Sequence, residues 1–220
     1  MKKYILLFKD TQNNRAAFVE RITLQVVPHL RRQSPNDLKL TITRTAPPRI
    51  SIIPFSKTAV SCLSMKAHQI DLSGYTTDPF FYGAYEVTEA LPVRYTLDWP
   101  PNAPTPGACL LTLFNRKKNQ TDEQFFHRWH NGHTPLSLKI HPLWNYNRNA
   151  VVKTLGGTPF EGIVEEQVRE GSELLNPMRF FGGPLMMGVN MIRTFIDTKS
   201  FIDYGTMETY FAEETWLIRP

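Results

Sequence analysis

Two hydrophobic periodicities alternate along the chain. Residues 4–8 form an unbroken apolar run between lysines, the length of a strand. Over residues 13–27, Phe18, Ile22 and Val26 recur every fourth position, which predicts an amphipathic helix. The same succession returns later. Residues 109–114 read as an apolar strand, 115–120 are polar, and Phe125, Trp129 and His133 again stand four apart. The helices align at an offset of 107 residues, which sets Phe18, Ile22, Val26 and Pro28 against Phe125, Trp129, His133 and Pro135. Further strands are predicted at 38–43, 59–65 and 85–89 in the first half, and at 145–153, 162–168 and 207–213 in the second. Residues 172–178 read as helical, with Gly182-Gly183-Pro184 as a break.

Residues 98–107 hold four prolines and a glycine, which neither a helix nor a central strand accommodates. They divide the chain into residues 1–97 and 108–220. Two strand–helix units of equal pitch, one in each part, predict an α+β fold of two tandem ferredoxin-like (βαββαβ) domains, the first mainly structural.

Composition narrows the function classes. A hydrophobic fraction of 41% with 14 Phe supports a real core. The net charge of +5 is scattered: Arg116, Lys117 and Lys118 are followed at once by Asp122 and Glu123, so no basic face for nucleic acid is expected. Cys62 and Cys109 lie in apolar runs and lack metal or redox spacing, which suits buried thiols of a reducing compartment. The apolar stretch after Lys3 ends at Lys9, short of the roughly 7–15 residues of a signal sequence. No run approaches the roughly 18 residues of a membrane span. A cytoplasmic protein without membrane partners is expected.

Residues 121–136 carry the densest chemistry. Thr121 and Gln124 form a capping box, and Asp122 and Glu123 suit the helix N-terminus. Gly132 predicts a stop, and Thr134-Pro135 a fresh start. On the helical wheel His133 continues the apolar stripe, His127 points nearly opposite and His130 lies between. They diverge too widely to hold a metal together, so no metal site is expected. His133, on the buried side at a helix break, suits general acid–base work; a core histidine bonded to a carbonyl is the equal alternative. Trp129 reads first as a core anchor. Strand alternation puts Tyr146 and Arg148 on one face and Asn147 and Asn149 on the other, while Glu165 shares a face with Ile163 and Gln167. No P-loop, dinucleotide fingerprint or nucleophile elbow occurs.

The string Phe125-x3-Trp129-x3-His133-x-Pro135-Leu136 resembles the signature helix of the EthD family. Tyr146, Asn149 and the stretch Glu161-Gly162-Ile163-x-Glu165 are similar to its strand motifs, and residues 105–210 follow the pattern of longer, two-domain members. The resemblance implies a dimeric α+β barrel, here with both units in one chain, and a homodimer as the further assembly. It implies catalytic roles for His133, Glu165 and Tyr146, with Trp129, Asn149 and Arg148 contacting substrate. The expected activity is that of a lyase or isomerase without cofactor, acting on a hydrophobic, carbonyl-bearing aromatic or polyketide-like molecule. The alternatives are a non-catalytic binding protein of a catabolic pathway and an oxygenase or haem-dependent enzyme on the same fold.

Overall fold

The computed structural model describes residues 1–220. Eight strands, β1 (Lys2–Lys9), β2 (Asp37–Ile42), β3 (Val60–Ala67), β4 (Phe81–Val93), β5 (Ala108–Phe114), β6 (Leu143–Gly157), β7 (Gly162–Val168) and β8 (Glu208–Ile218), close into one antiparallel barrel of order β1-β3-β2-β8-β5-β7-β6-β4. This corrects the expectation of two tandem ferredoxin-like domains. Each half by itself would leave two strand edges with unpaired backbone groups. They are joined at two seams instead, β2 with β8 and β4 with β6, so no edge remains. The first half also lacks a second helix, since only turns lie between β3 and β4. Residues 98–107 run along β8, where Pro104 bridges Thr215 and Thr105 donates its backbone N–H to the Glu214 carbonyl at 2.7 Å.

Both faces of the barrel wall are covered, which accounts for the unbroken apolar run in β1. Ile5 and Leu7 join Val60, Leu111, Leu113 and Ile163 in an apolar part of the lumen. Tyr4, Leu6 and Phe8 face outward under the first helix. Elsewhere the alternation is inverted. Leu38, Leu40 and Ile42 of β2 pack outward, while Lys39 and Thr41 point into the lumen. Cys62 and Cys109 are both buried and unpaired.

The repeated helix is real in both halves. α1 (Arg15–Arg21) runs through a π-helical segment, Ile22–Val26, into α2 (Val27–Arg32). α3 (Asp122–His127) runs through Arg128–His133 into α4 (Thr134–Ile140). The capping box of Thr121 and Gln124 starts α3. Gly132 does not stop the helix, and Thr134 is helical rather than a cap. The wider turn precedes Pro28 and Pro135, whose rings would clash with the carbonyl four residues back in a regular α-helix. Past β7 come α5 (Gly171–Leu175), α6 (Pro177–Phe180) and a helix that sequence periodicity did not predict, α7 (Met187–Phe201). Gly182 and Gly183, at φ of 83° and 93°, make the turn that leads into α7. No helix is long and apolar enough to cross a membrane.

Candidate functional site

The site lies between the barrel wall and the second-half helices, not in the lumen between paired sheets. α3 and α4 lay their apolar stripe on the outer face of β5, β6 and β7. Trp129 packs edge-on against Phe114, with ring centroids 5.1 Å apart, and lies 5.4 Å from Phe125. α7 closes the remaining side. Its C-terminal end is fastened where Lys117 N–H donates to the Phe201 carbonyl at 2.7 Å and Gln120 to that of Ser200. A mostly apolar cavity of about 150 Å³ remains, with Trp129, His133, Ser137, Tyr146 and Glu166 among the side chains that line it.

The π-helical turn sets the direction of His133. Its Nδ1 lies 2.7 Å from Asp197 of α7, its Nε2 lies 3.1 Å from Ser137 Oγ, and the ring rests 5.4 Å from that of Phe201. A carboxylate only accepts, so Nδ1 carries a proton, and in the neutral ring Nε2 then presents a lone pair. Ser137 is buried, and His133 keeps a small exposed edge of 12%.

The cavity wall supplies two further polar groups. Burial in apolar surroundings pushes the Glu166 carboxyl up to about 7, tempered by His133. Tyr146 is fully buried, its hydroxyl lies near Thr134 and Trp129 without a well-formed hydrogen bond, and burial raises its pKa. Beside them His141 is stacked on Phe180 at 4.1 Å and bonded to the Phe180 carbonyl at 2.9 Å. Burial, partly opposed by that bond, lowers its pKa to about 4.

His133, Trp129 and Tyr146 are therefore brought together. Glu165 is not. It points to the opposite side of the wall, into the lumen, where its carboxylate accepts from Lys39 at 2.9 Å and Thr41 at 2.6 Å. Lys39 reaches across from the first half and also donates to Glu214 at 3.0 Å. Burial disfavours both charges, but the pairing outweighs it, keeping Lys39 well above and Glu165 below their ordinary pKa values. Asn149 faces the same lumen and donates to the Ile163 carbonyl. Neither can touch a molecule held beside His133. Arg148 shares the outer face with Tyr146 but binds the Thr134 hydroxyl and does not line the cavity.

The carboxylate beside His133 is thus Asp197, 64 residues away in sequence, and the wall carboxyl is Glu166. Asp197 carries no local signal in the sequence. Ser137, one helical turn beyond His133, was accessible to the same spacing argument that selected His133. No cluster of three or more His, Cys, Asp or Glu side chains suits a metal ion.

No protein-family model matches this chain, that of the EthD family included, and no curated protein does. Among solved structures, one described as a crystal structure study of an anthrone oxidase-like protein is similar, with a TM-score of 0.55 and 9% sequence identity over 99% of this chain and 93% of that one. At that identity the likeness speaks for the fold alone.

Proposed function

We propose that the cavity binds a hydrophobic, carbonyl-bearing small molecule and that His133 moves a proton on it, as in a lyase or isomerase that needs no cofactor. The observation that carries this reading is the Asp197–His133 pair, 2.7 Å apart, at the edge of an apolar cavity lined by the Tyr146 side chain. Asp197 fixes the tautomer and supports the imidazolium that forms when Nε2 takes a proton, directly or through Ser137. Removal of a proton next to a carbonyl leaves an enolate. Tyr146 can donate to its oxygen, and Glu166, with its pKa near 7, can return a proton at another position. Protonation elsewhere is isomerisation, whereas loss of a neighbouring hydroxyl is dehydration.

The volume favours a small substrate. An engineered protein cavity of about 150 Å³ takes up benzene, so a single-ring aryl ketone fits here better than a fused polyketide. The likeness to an anthrone oxidase-like protein supports a second reading on the same first step, in which the carbanion of an aromatic ketone is oxidised by dioxygen.

The test is α-proton exchange of single-ring aryl ketones in deuterated water, followed by NMR, with oxygen uptake recorded in parallel. Exchange is expected, and His133→Gln should slow it by about 10²–10⁴-fold. Tight binding without exchange would leave only a carrier role for the cavity. Oxygen uptake that depends on His133 would favour the oxidase reading.

A further inference from the structure

Asp197, His133 and Ser137 form a continuous line of hydrogen bonds, 2.7 Å and 3.1 Å long, running from α7 to the cavity. With the ring proton committed to Asp197, Nε2 is the acceptor and the Ser137 hydroxyl donates to it. A serine inside a helix commonly turns its hydroxyl out to solvent or back to the carbonyl one turn earlier. Ser137 does not; its hydroxyl is bonded to His133 alone. It is buried from bulk water and opens onto the cavity. Carboxylate, imidazole and hydroxyl in this order activate a serine oxygen, whatever the fold that presents them.

We infer that Ser137 is a nucleophile and that the chain also hydrolyses small aromatic esters in this cavity. Ser137 Oγ attacks the ester carbonyl carbon while His133 Nε2 takes the hydroxyl proton. The carbonyl π electrons move onto oxygen, giving a tetrahedral intermediate. Tyr146, whose side chain lines the same cavity and whose buried hydroxyl makes no well-formed hydrogen bond, is the donor assigned to that oxyanion. Collapse breaks the carbon–oxygen bond to the leaving group, which departs as an alcohol or phenol with the proton from His133. Water then repeats the sequence: it loses a proton to His133, attacks the acyl-serine and expels Ser137, which recovers its proton. No oxidant or reductant takes part. Glu166 suits this chemistry in its neutral form, since a second negative charge beside the oxyanion would oppose it.

The inference rests on the same Asp197–His133 pair as the proton-transfer reading but not on the same substrate. Phenylmethylsulfonyl fluoride carries one ring and suits the cavity volume. Incubated with the full chain, it is expected to sulfonylate Ser137, located by peptide mass spectrometry, and to leave Ser137→Ala unmodified. The labelling rate should fall about 100-fold in His133→Gln and in Asp197→Asn. With 4-nitrophenyl acetate, nitrophenol release should show a burst that sulfonylation abolishes. No adduct on Ser137, or an adduct formed equally fast without His133, overturns the inference. Ketone α-proton exchange in the unmodified protein separates the two readings. Exchange without sulfonylation removes the nucleophile alone, whereas sulfonylation with no exchange supports it and removes the proton-transfer reading.

Discussion

Glu166 and His141 share a cavity wall, and burial moves their proton affinities in opposite directions, to about 7 and about 4. For Glu166, the folded chain keeps a proton that the unfolded chain releases between about 4.5 and 7, so stability falls as pH rises through that window. For His141, the unfolded chain holds a proton that the folded chain refuses between about 4 and 6.5, so stability rises with pH there. Each effect is about 3 kcal/mol, and across the shared range they offset each other. Glu166→Gln should therefore uncover the His141 slope, with unfolding free energy climbing by a few kcal/mol from pH 4.5 to 6.5. A profile as level as the parent's would refute the assignment. At this scale the sequence places His133, Trp129 and Tyr146 on the faces that line the cavity, as the helix and strand periods aim them. It also shows that Glu165 and Glu166 face apart. Which of the two meets the helices is not legible, because the wall is buried on both sides and polarity does not mark the outside.

Among the elements, the repeated helix is the most legible, down to its offset and its paired prolines. Its continuity is not, because glycine and Thr-Pro signal a break that a single widened turn absorbs. α7 is missed for a different reason. Val189, Ile192, Phe195 and Ile196 are all exposed, so its apolar residues do not mark a buried stripe. The lumen hides its charges most completely: Lys39, Glu165 and Glu214 are all at most 1% exposed, and nothing local in the sequence announces that Lys39 and Glu214 meet Glu165 there. Lys39→Met would strand two carboxylates in the barrel, and a loss of about 3–5 kcal/mol is expected in urea denaturation. Adding Glu165→Gln and Glu214→Gln to that variant should recover most of it. An unchanged midpoint for Lys39→Met would show that the cluster is neutralised some other way.

For the whole molecule, closure makes the halves dependent on each other. The first half ends on strands β2 and β4 and the second on β6 and β8, and every one of these edges is paired across a seam. The lumen is shared as well, since Lys39 comes from one half and its carboxylates from the other. Residues 1–102 and 103–220 made separately should aggregate or stay unfolded, whereas co-expressed they should copurify as one barrel. A monomeric fragment with cooperative thermal unfolding would contradict this. The equal division and the strand–helix succession are visible along the chain. The seams are not, because pairing between distant strands leaves no local periodicity.

The first half keeps the widened turn at Ile22–Val26 with nothing but hydrocarbon on its inner side, so this backbone detour stands without any reagent to hold. At the offset of 107 residues, Val26 occupies the place of His133 and Leu30 that of Ser137. The barrel thus carries the same turn twice, the first copy filled by core packing. Val26→His with Leu30→Ser would furnish it with an imidazole and a hydroxyl at the same angle. No counterpart of α7 covers that flank; the turns between β3 and β4 bring Asp78 there instead, and it is already paired with Arg21 at 2.7 Å.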